Sequence, residues 1–325
     1  MAYRFKAKED LRDGVRRIAV EQLDKSLASA AADEDRVAWV HETRKALKRT
    51  RSLLRCVRTG IGDARWRDEN TALGLIGRQL SALRDSDVMG PTLAALAERG
   101  GSELDEPLAW FRAVLAKRSA KVAAMTGPAI DAVIVSALAG LEQARDRLHR
   151  IDVEGDLDEV VAAGIARCQR TGRSAVALVI SDPTDDNLHE LRKAVQTYQR
   201  QQALVQVAWP ELQTVRIEAA RHCARVLGEA QDLAVLAAAV KDPRPESARD
   251  REAAACIVAA CREQQGELRE AALPIAARLF ALRPKAAGEE LAANWRTAVE
   301  MGSIAAPAQP AGKAGNRQVT RRRAS

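Results

Sequence analysis

His41-Glu42-Thr43-Arg44-Lys45-Ala46-Leu47-Lys48-Arg49-Thr50-Arg51 is the stretch on which the reading of this chain turns, because its opening five-residue pattern returns 148 residues later as His189-Glu190-Leu191-Arg192-Lys193. A second pair follows each. Leu80 to Asp85 reads Leu-Ser-Ala-Leu-Arg-Asp, and Leu227 to Asp232 reads Leu-Gly-Glu-Ala-Gln-Asp. The interval from histidine to aspartate is 44 residues in one copy and 43 in the other. Two motifs repeated in register argue for a duplicated helical unit.

On a helix advancing about 100° per residue, His41, Arg44, Lys45, Lys48, Arg49, Arg51 and Arg55 all fall on one half. Leu47, Thr50, Leu53, Leu54 and Val57 fall opposite. This segregation predicts a bundle helix with one buried and one cationic side. The cations stand at helical spacing from one another, as in Arg44–Lys48, Lys45–Arg49 and Arg51–Arg55, where like charges destabilise a helix. Counter-charges supplied by a ligand account for such a stripe better than solvent does. From His41 to Arg55 it extends roughly 21 Å, which suits a linear polyanion. The bland alternative is a solvated face of snorkelling side chains.

The second copy is poorer in cations. His189, Arg192, Lys193 and Arg200 share a face, but Gln196, Thr197 and Gln199 stand where the first copy has Lys48, Arg49 and Arg51. Arg78 and Arg225, each two residues before the paired leucine, add one matched cation per copy. The first half is therefore expected to dominate affinity. His41 and His189 lie at the stripe edges, where neighbouring cations disfavour protonation and phosphate favours it, so binding is expected to tighten as pH falls towards 6.

Composition agrees with helices. Hydrophobic residues make up 47% and aromatics only 3% of 325 residues, and β-branched runs are short. Periodicity predicts helices near 9–31, 35–59, 65–83, 85–99, 105–125 and 128–150. In the second half it predicts 156–180, 186–207, 210–228, 230–241, 248–281 and 287–302. Asp185-Asp186 is read as a capping pair, and Asp85 and Asp232 as N-caps at turns. The expected fold is all-α, with tandem antiparallel helical bundles at 1–152 and 153–302. A basic tail, 303–325, lacks periodicity and is expected to be disordered.

The formal net charge is +7. Residues 41–58 hold seven Arg or Lys against one acid, and 303–325 hold five against none, so the remaining body is net acidic. Five cysteines without a C-x-x-C pair read as reduced thiols of a cytoplasmic protein. The start lacks the apolar core of a signal peptide, and no stretch approaches the roughly 20 apolar residues that span a bilayer.

These motifs, H-x-x-R-K-x-x-(K/R) followed by L-x-x-x-(R/Q)-D, both present twice, resemble the CHAD family, the conserved histidine α-helical domain. The resemblance extends to about residue 300. It implies two bundles related by a pseudo-two-fold, with histidine helices lining a basic groove. It also implies binding of inorganic polyphosphate and, in bacteria, association with polyphosphate granules and their proteins. By position the polyphosphate contacts are His41, Arg44, Lys45, Lys48, Arg49, Arg51, Arg55, Arg78, His189, Arg192, Lys193, Arg200 and Arg225.

Two other functions compete. A polyphosphate or triphosphate hydrolase needs Mg²⁺ held by carboxylates. Asp85, Asp87 and Asp232 are the candidates, but Ala234 stands where the second copy should match Asp87, and no phosphate-binding glycine loop or E-x-E-x-K strand appears. No catalytic residue, metal or cofactor is therefore expected. Nucleic acid would be drawn by the same charges, yet no aromatic interleaves the basic face of 41–55 to stack a base.

Overall fold

A computed structural model describes residues 3–31, 35–81, 89–123, 127–242, 245 and 247–302. Among these residues the chain is helical with no strand. The helices are α1 (Leu11–Ala31), α2 (Arg36–Cys56), α3 (Arg58–Ile61), α4 (Asp63–Ser81), α5 (Met89–Gly100), α6 (Asp105–Ala123) and α7 (Gly127–His149). They continue as α8 (Leu157–Ser181), α9 (Asp185–Leu204), α10 (Pro210–Lys241), α11 (Ala248–Leu279) and α12 (Pro284–Met301). The predicted N-cap Asp85, its neighbour Asp87 and the tail 303–325 lie outside the described residues.

Local chemistry sets the helix ends, and in three places it differs from the sequence expectation. Asp35 caps α2 by accepting from the Val37 amide at 3.0 Å. That helix stops at Cys56, and a single turn, α3, carries the chain to Gly62, whose φ of 77° suits a glycine. At α9 the cap is Thr184, accepting from the Asn187 amide at 3.3 Å; Asp185 and Asp186 instead occupy the first turn, where negative charge favours the helix dipole. The predicted break near residue 229 is absent. α10 runs unbroken through Gly228 and Asp232, so Asp232 is an interior helical residue and not a cap. The missing Cβ of Gly228 leaves room for the Arg192 guanidinium against α10; a Cβ there would sit 3.1 Å from Arg192 Nη2.

The packing follows from which faces are apolar. α1, α2, α4 and α7 pack as one four-helix group, and α8, α9, α10 and α11 as another, with α12 laid on α8. The connection between α7 and α8 falls at the expected midpoint, where Gly155 turns at φ 98° and the Glu154 amide donates to the Gly60 carbonyl at 2.9 Å. Yet the buried clusters do not divide there. The first core, built on Ile18, Leu53 and Leu73, also takes in Val161, Leu204, Leu291 and Trp295. A separate core joins Leu93, Leu96, Leu104, Leu108 and Phe111 of the first half to Leu233, Leu236, Val240, Ile257 and Cys261 of the second. Burying one such side chain contributes about 1.5–3 kcal/mol. These contacts, far more than the exposed Arg249–Glu106 pair, hold α5 and α6 on the ends of α10 and α11.

The two halves also meet along α2. Gly164 of α8 is so close that a Cβ on it would land on the Cys56 carbonyl. Gln201 Nε2 donates to the Ser52 carbonyl at 3.5 Å. The segment before α1 fastens across this junction. The Phe5 amide donates to the Leu204 carbonyl at 2.9 Å, the Phe5 ring meets Trp295 edge-on at 6.4 Å, and Tyr3 Oη donates to the Arg49 carbonyl at 2.8 Å.

Candidate anion-binding surface

α2 presents its apolar side, including Leu47, Leu53 and Leu54, to the core and so turns its cations outward and towards α9. Its flanking helices catch individual guanidinium groups. Arg44 Nη1 donates to Ser81 Oγ of α4 at 2.6 Å, and Arg51 Nε donates to Asn70 Oδ1 of α4 at 2.9 Å. On the other flank, Arg49 Nη1 donates to Gln22 Oε1 of α1 at 3.4 Å and lies over the Tyr3 ring at 5.8 Å. Arg55 Nη1 crosses to α9 and donates to Thr197 Oγ1 at 3.2 Å. From α9, Arg200 donates back to the Gln196 carbonyl and Oε1 at 3.1 and 3.3 Å.

The acceptors for Arg49, Arg51, Arg55 and Arg200 are all uncharged. Among the described residues, none of the four forms an ion pair. Three of them carry their charge at a disadvantage. Burial holds Arg51 below the usual guanidinium range, with Arg55 and Arg78 adding repulsion. Burial also lowers Arg55, with Arg58 adding to it, while Cys168 and Glu190 act the other way. Burial lowers Arg200, helped by Arg49 and Arg55 and opposed by Tyr3. An arginine stays protonated regardless, so the cost remains as a standing preference for an incoming anion.

The lysines are held differently. Lys45 pairs with Glu42 at 2.7 Å, and Lys193 pairs with Glu190 at 2.6 Å, each three residues apart on an exposed helix face. Such pairs contribute about 0–1 kcal/mol and yield readily to a polyanion. Lys48 and His189 are exposed, and His41 is half-buried. Arg78 is exposed on α4 beside Arg51, both lying near Gly74. Arg192 faces Gly228 of α10, and its buried Nε has no partner. Arg225 belongs to a different cleft, with Arg99 of α5 and Glu229 and Asp232 of α10, and is ion-paired to Glu229.

The structure thus brings α2 and α9 side by side, with Arg49, Arg55 and Arg200 close enough to repel one another. It adds residues that the sequence motifs did not single out. Arg167 of α8 donates from Nη2 to the Cys56 carbonyl at 3.2 Å, covering the C-terminal end of α2. Arg58 grips both oxygens of Asp63 at 2.7 and 2.8 Å and lies over the Trp66 ring at 4.1 Å. Arg58 is visible as the next cation after Arg55 on the same run; Arg167 has no sequence signal, because only tertiary packing brings it there.

No grouping of three His, Cys, Asp or Glu able to hold a metal occurs among the described residues, and no helix among them is long and apolar enough to cross a membrane. The described cysteines are free thiols, four of them buried.

A family model for the CHAD domain matches residues 15–241. Among solved structures, the chain is similar to the crystal structure of the CHAD domain from the plant Ricinus communis. Identity there is 18%, over 86% of this chain and 95% of that one, with a TM-score of 0.53. It is also similar to PptA from Streptomyces chartreusis, at 14% identity over 82% of this chain and 99% of that one, with a TM-score of 0.60. No curated protein matches the chain. At these identities the structural likeness is one of fold.

Proposed function

The chain belongs to the CHAD domain family, whose model covers residues 15–241, and from that footing we propose that it binds inorganic polyphosphate without hydrolysing it. One observation carries the reading: Arg49, Arg51, Arg55 and Arg200 gather where α2 meets α9 and are met only by neutral oxygens among the described residues. A polyphosphate chain supplies the missing negative charge at close, regular spacing. Arginine forks take paired phosphate oxygens, and Lys45 and Lys193, released from their acids, act with Lys48 as point charges. Association with polyphosphate granules and their proteins follows from the same affinity.

Nucleic acid offers a comparable charge density, but this surface gives a base nothing to stack on. The aromatic rings beside the cations, Tyr3 and Trp66, already lie against Arg49 and Arg58. The test is calorimetric titration of long-chain polyphosphate into the intact protein and into a Lys45→Glu/Lys48→Glu/Arg51→Gln variant, with duplex DNA as competitor. The expected outcome is a loss of about a hundredfold in the variant and poor competition by DNA. Undiminished affinity in a folded variant would make the stripe a solvated face only.

A further inference from the structure

The cation tract of α2 ends in a pocket. Its last member, Arg55, lines a cleft of about 290 Å³ together with Arg58, Trp66, Arg167, Thr171 and Lys193. Beside it α2 and α8 touch at Cys56 and Gly164, and Arg167, which lines the cleft, bridges the two helices there. Two carboxylates attend the cleft: Glu190, held by Lys193, and Asp63, held by Arg58. Four cations therefore outnumber two acids. Two buried N–H donors on its walls, Arg167 Nε and Trp66 Nε1, have no partner. Burial depresses Arg167 as it does Arg55.

The phosphates of a linear polyphosphate are not equivalent. An interior phosphate carries one negative charge. A terminal one carries a second ionisation near pH 6 and an additional free oxygen, so at neutral pH it approaches two charges. A pocket with surplus cations and unpartnered donors fits the more highly charged end of a chain better than its middle. We infer that the cleft between α2, α4, α8 and α9 seats the terminal phosphate of polyphosphate, with the interior of the chain laid back along Arg51, Lys48 and Arg44. This rests on the polyphosphate reading and adds to it a direction and a preference for free ends. Lys193 leaves Glu190 for the phosphate, and Arg55 and Arg167 supply fixed charge.

The experiment compares a short linear polyphosphate of defined length with free ends against the same chain with both ends capped as singly charged phosphoramidates. Each is titrated into the full-length protein at pH 7.5. Thr171→Glu is the informative variant, because Thr171 is exposed where α8 lines the cleft and a carboxylate there, one helical turn from Arg167, competes with the phosphate for its charge; Arg58→Gln is the second. Capping should weaken binding to the natural protein about tenfold, and both variants should bind free-ended chain weakly and ignore the cap. Equal binding of capped and free chains to the natural protein, with the α2 triple variant weak towards both, overturns chain-end seating and leaves polyphosphate binding intact. Cap sensitivity that survives in both variants also overturns it. Failure of both chains to bind the natural protein overturns both readings.

Discussion

Arg55 of α2 donates from Nη1 to Thr197 Oγ1 of α9 at 3.2 Å, and Thr197 in turn donates to the Lys193 carbonyl at 2.8 Å. A hydroxyl therefore stands opposite a half-buried guanidinium, a partner that fixes its direction and brings no negative charge of its own. The pair joins the two halves of the sequence at the centre of the cationic surface.

Arg55→Gln keeps a donor for Thr197 and removes the charge. Thermal unfolding should show stability unchanged or raised by up to about 1 kcal/mol, because a half-buried charge without an ion-pair partner is relieved. Polyphosphate affinity measured by calorimetry should drop about tenfold. A loss of stability together with unchanged affinity would contradict the assignment.

Glu42 and Glu190 act as resident counter-ions for Lys45 and Lys193. Glu42→Gln and Glu190→Gln should each tighten polyphosphate binding about twofold to fivefold, the range set by an exposed pair. The steepness of the salt dependence should increase in both, as one more lysine becomes available to the ligand.

Two helical glycines are predicted to behave oppositely. Gly164→Ala drives a methyl into the Cys56 carbonyl and should cost about 1–3 kcal/mol or more in chemical denaturation. Gly266 of α11 has nothing within 4 Å of an added Cβ, so Gly266→Ala should raise stability by about 0.5–1 kcal/mol.

Acid should loosen the start of the chain. Burial would raise the Glu9 carboxyl, but bonds from Arg17 at 2.6 and 2.7 Å and from the Lys6 amide at 3.1 Å outweigh it and hold the group below its ordinary 4.5. The folded value is depressed, so this stabilisation is complete above the ordinary value and is lost as pH falls through the folded one. Melting curves from pH 6 to pH 3 should drop more steeply for the natural protein than for Glu9→Gln.

The helices themselves were legible because apolar residues at i, i+3 and i+4 recur along nearly the whole chain. What periodicity cannot reveal is which apolar face meets which. The stripe on α5 and α6 reads as buried, yet nothing local says that Leu236 and Ile257 bury it. Gly228 and Asp232 look like a turn by composition, yet α10 runs through both, and the glycine serves to admit Arg192 of another helix. For the site, the cations on α2 were visible as an uncompensated run. Their neutral acceptors, Asn70 on α4, Gln22 on α1 and Thr197 on α9, were not, since no spacing rule connects them.

The fastening of Phe5 to Leu204 and Trp295 has a bearing on how this polypeptide matures. Phe5 finishes its burial against Leu204 and Trp295, which are made long after it. The first bundle must therefore wait, with part of its interior uncovered, until α12 has been made. Shortened versions stopping near residue 152 would keep that interior exposed, and self-association is their expected fate.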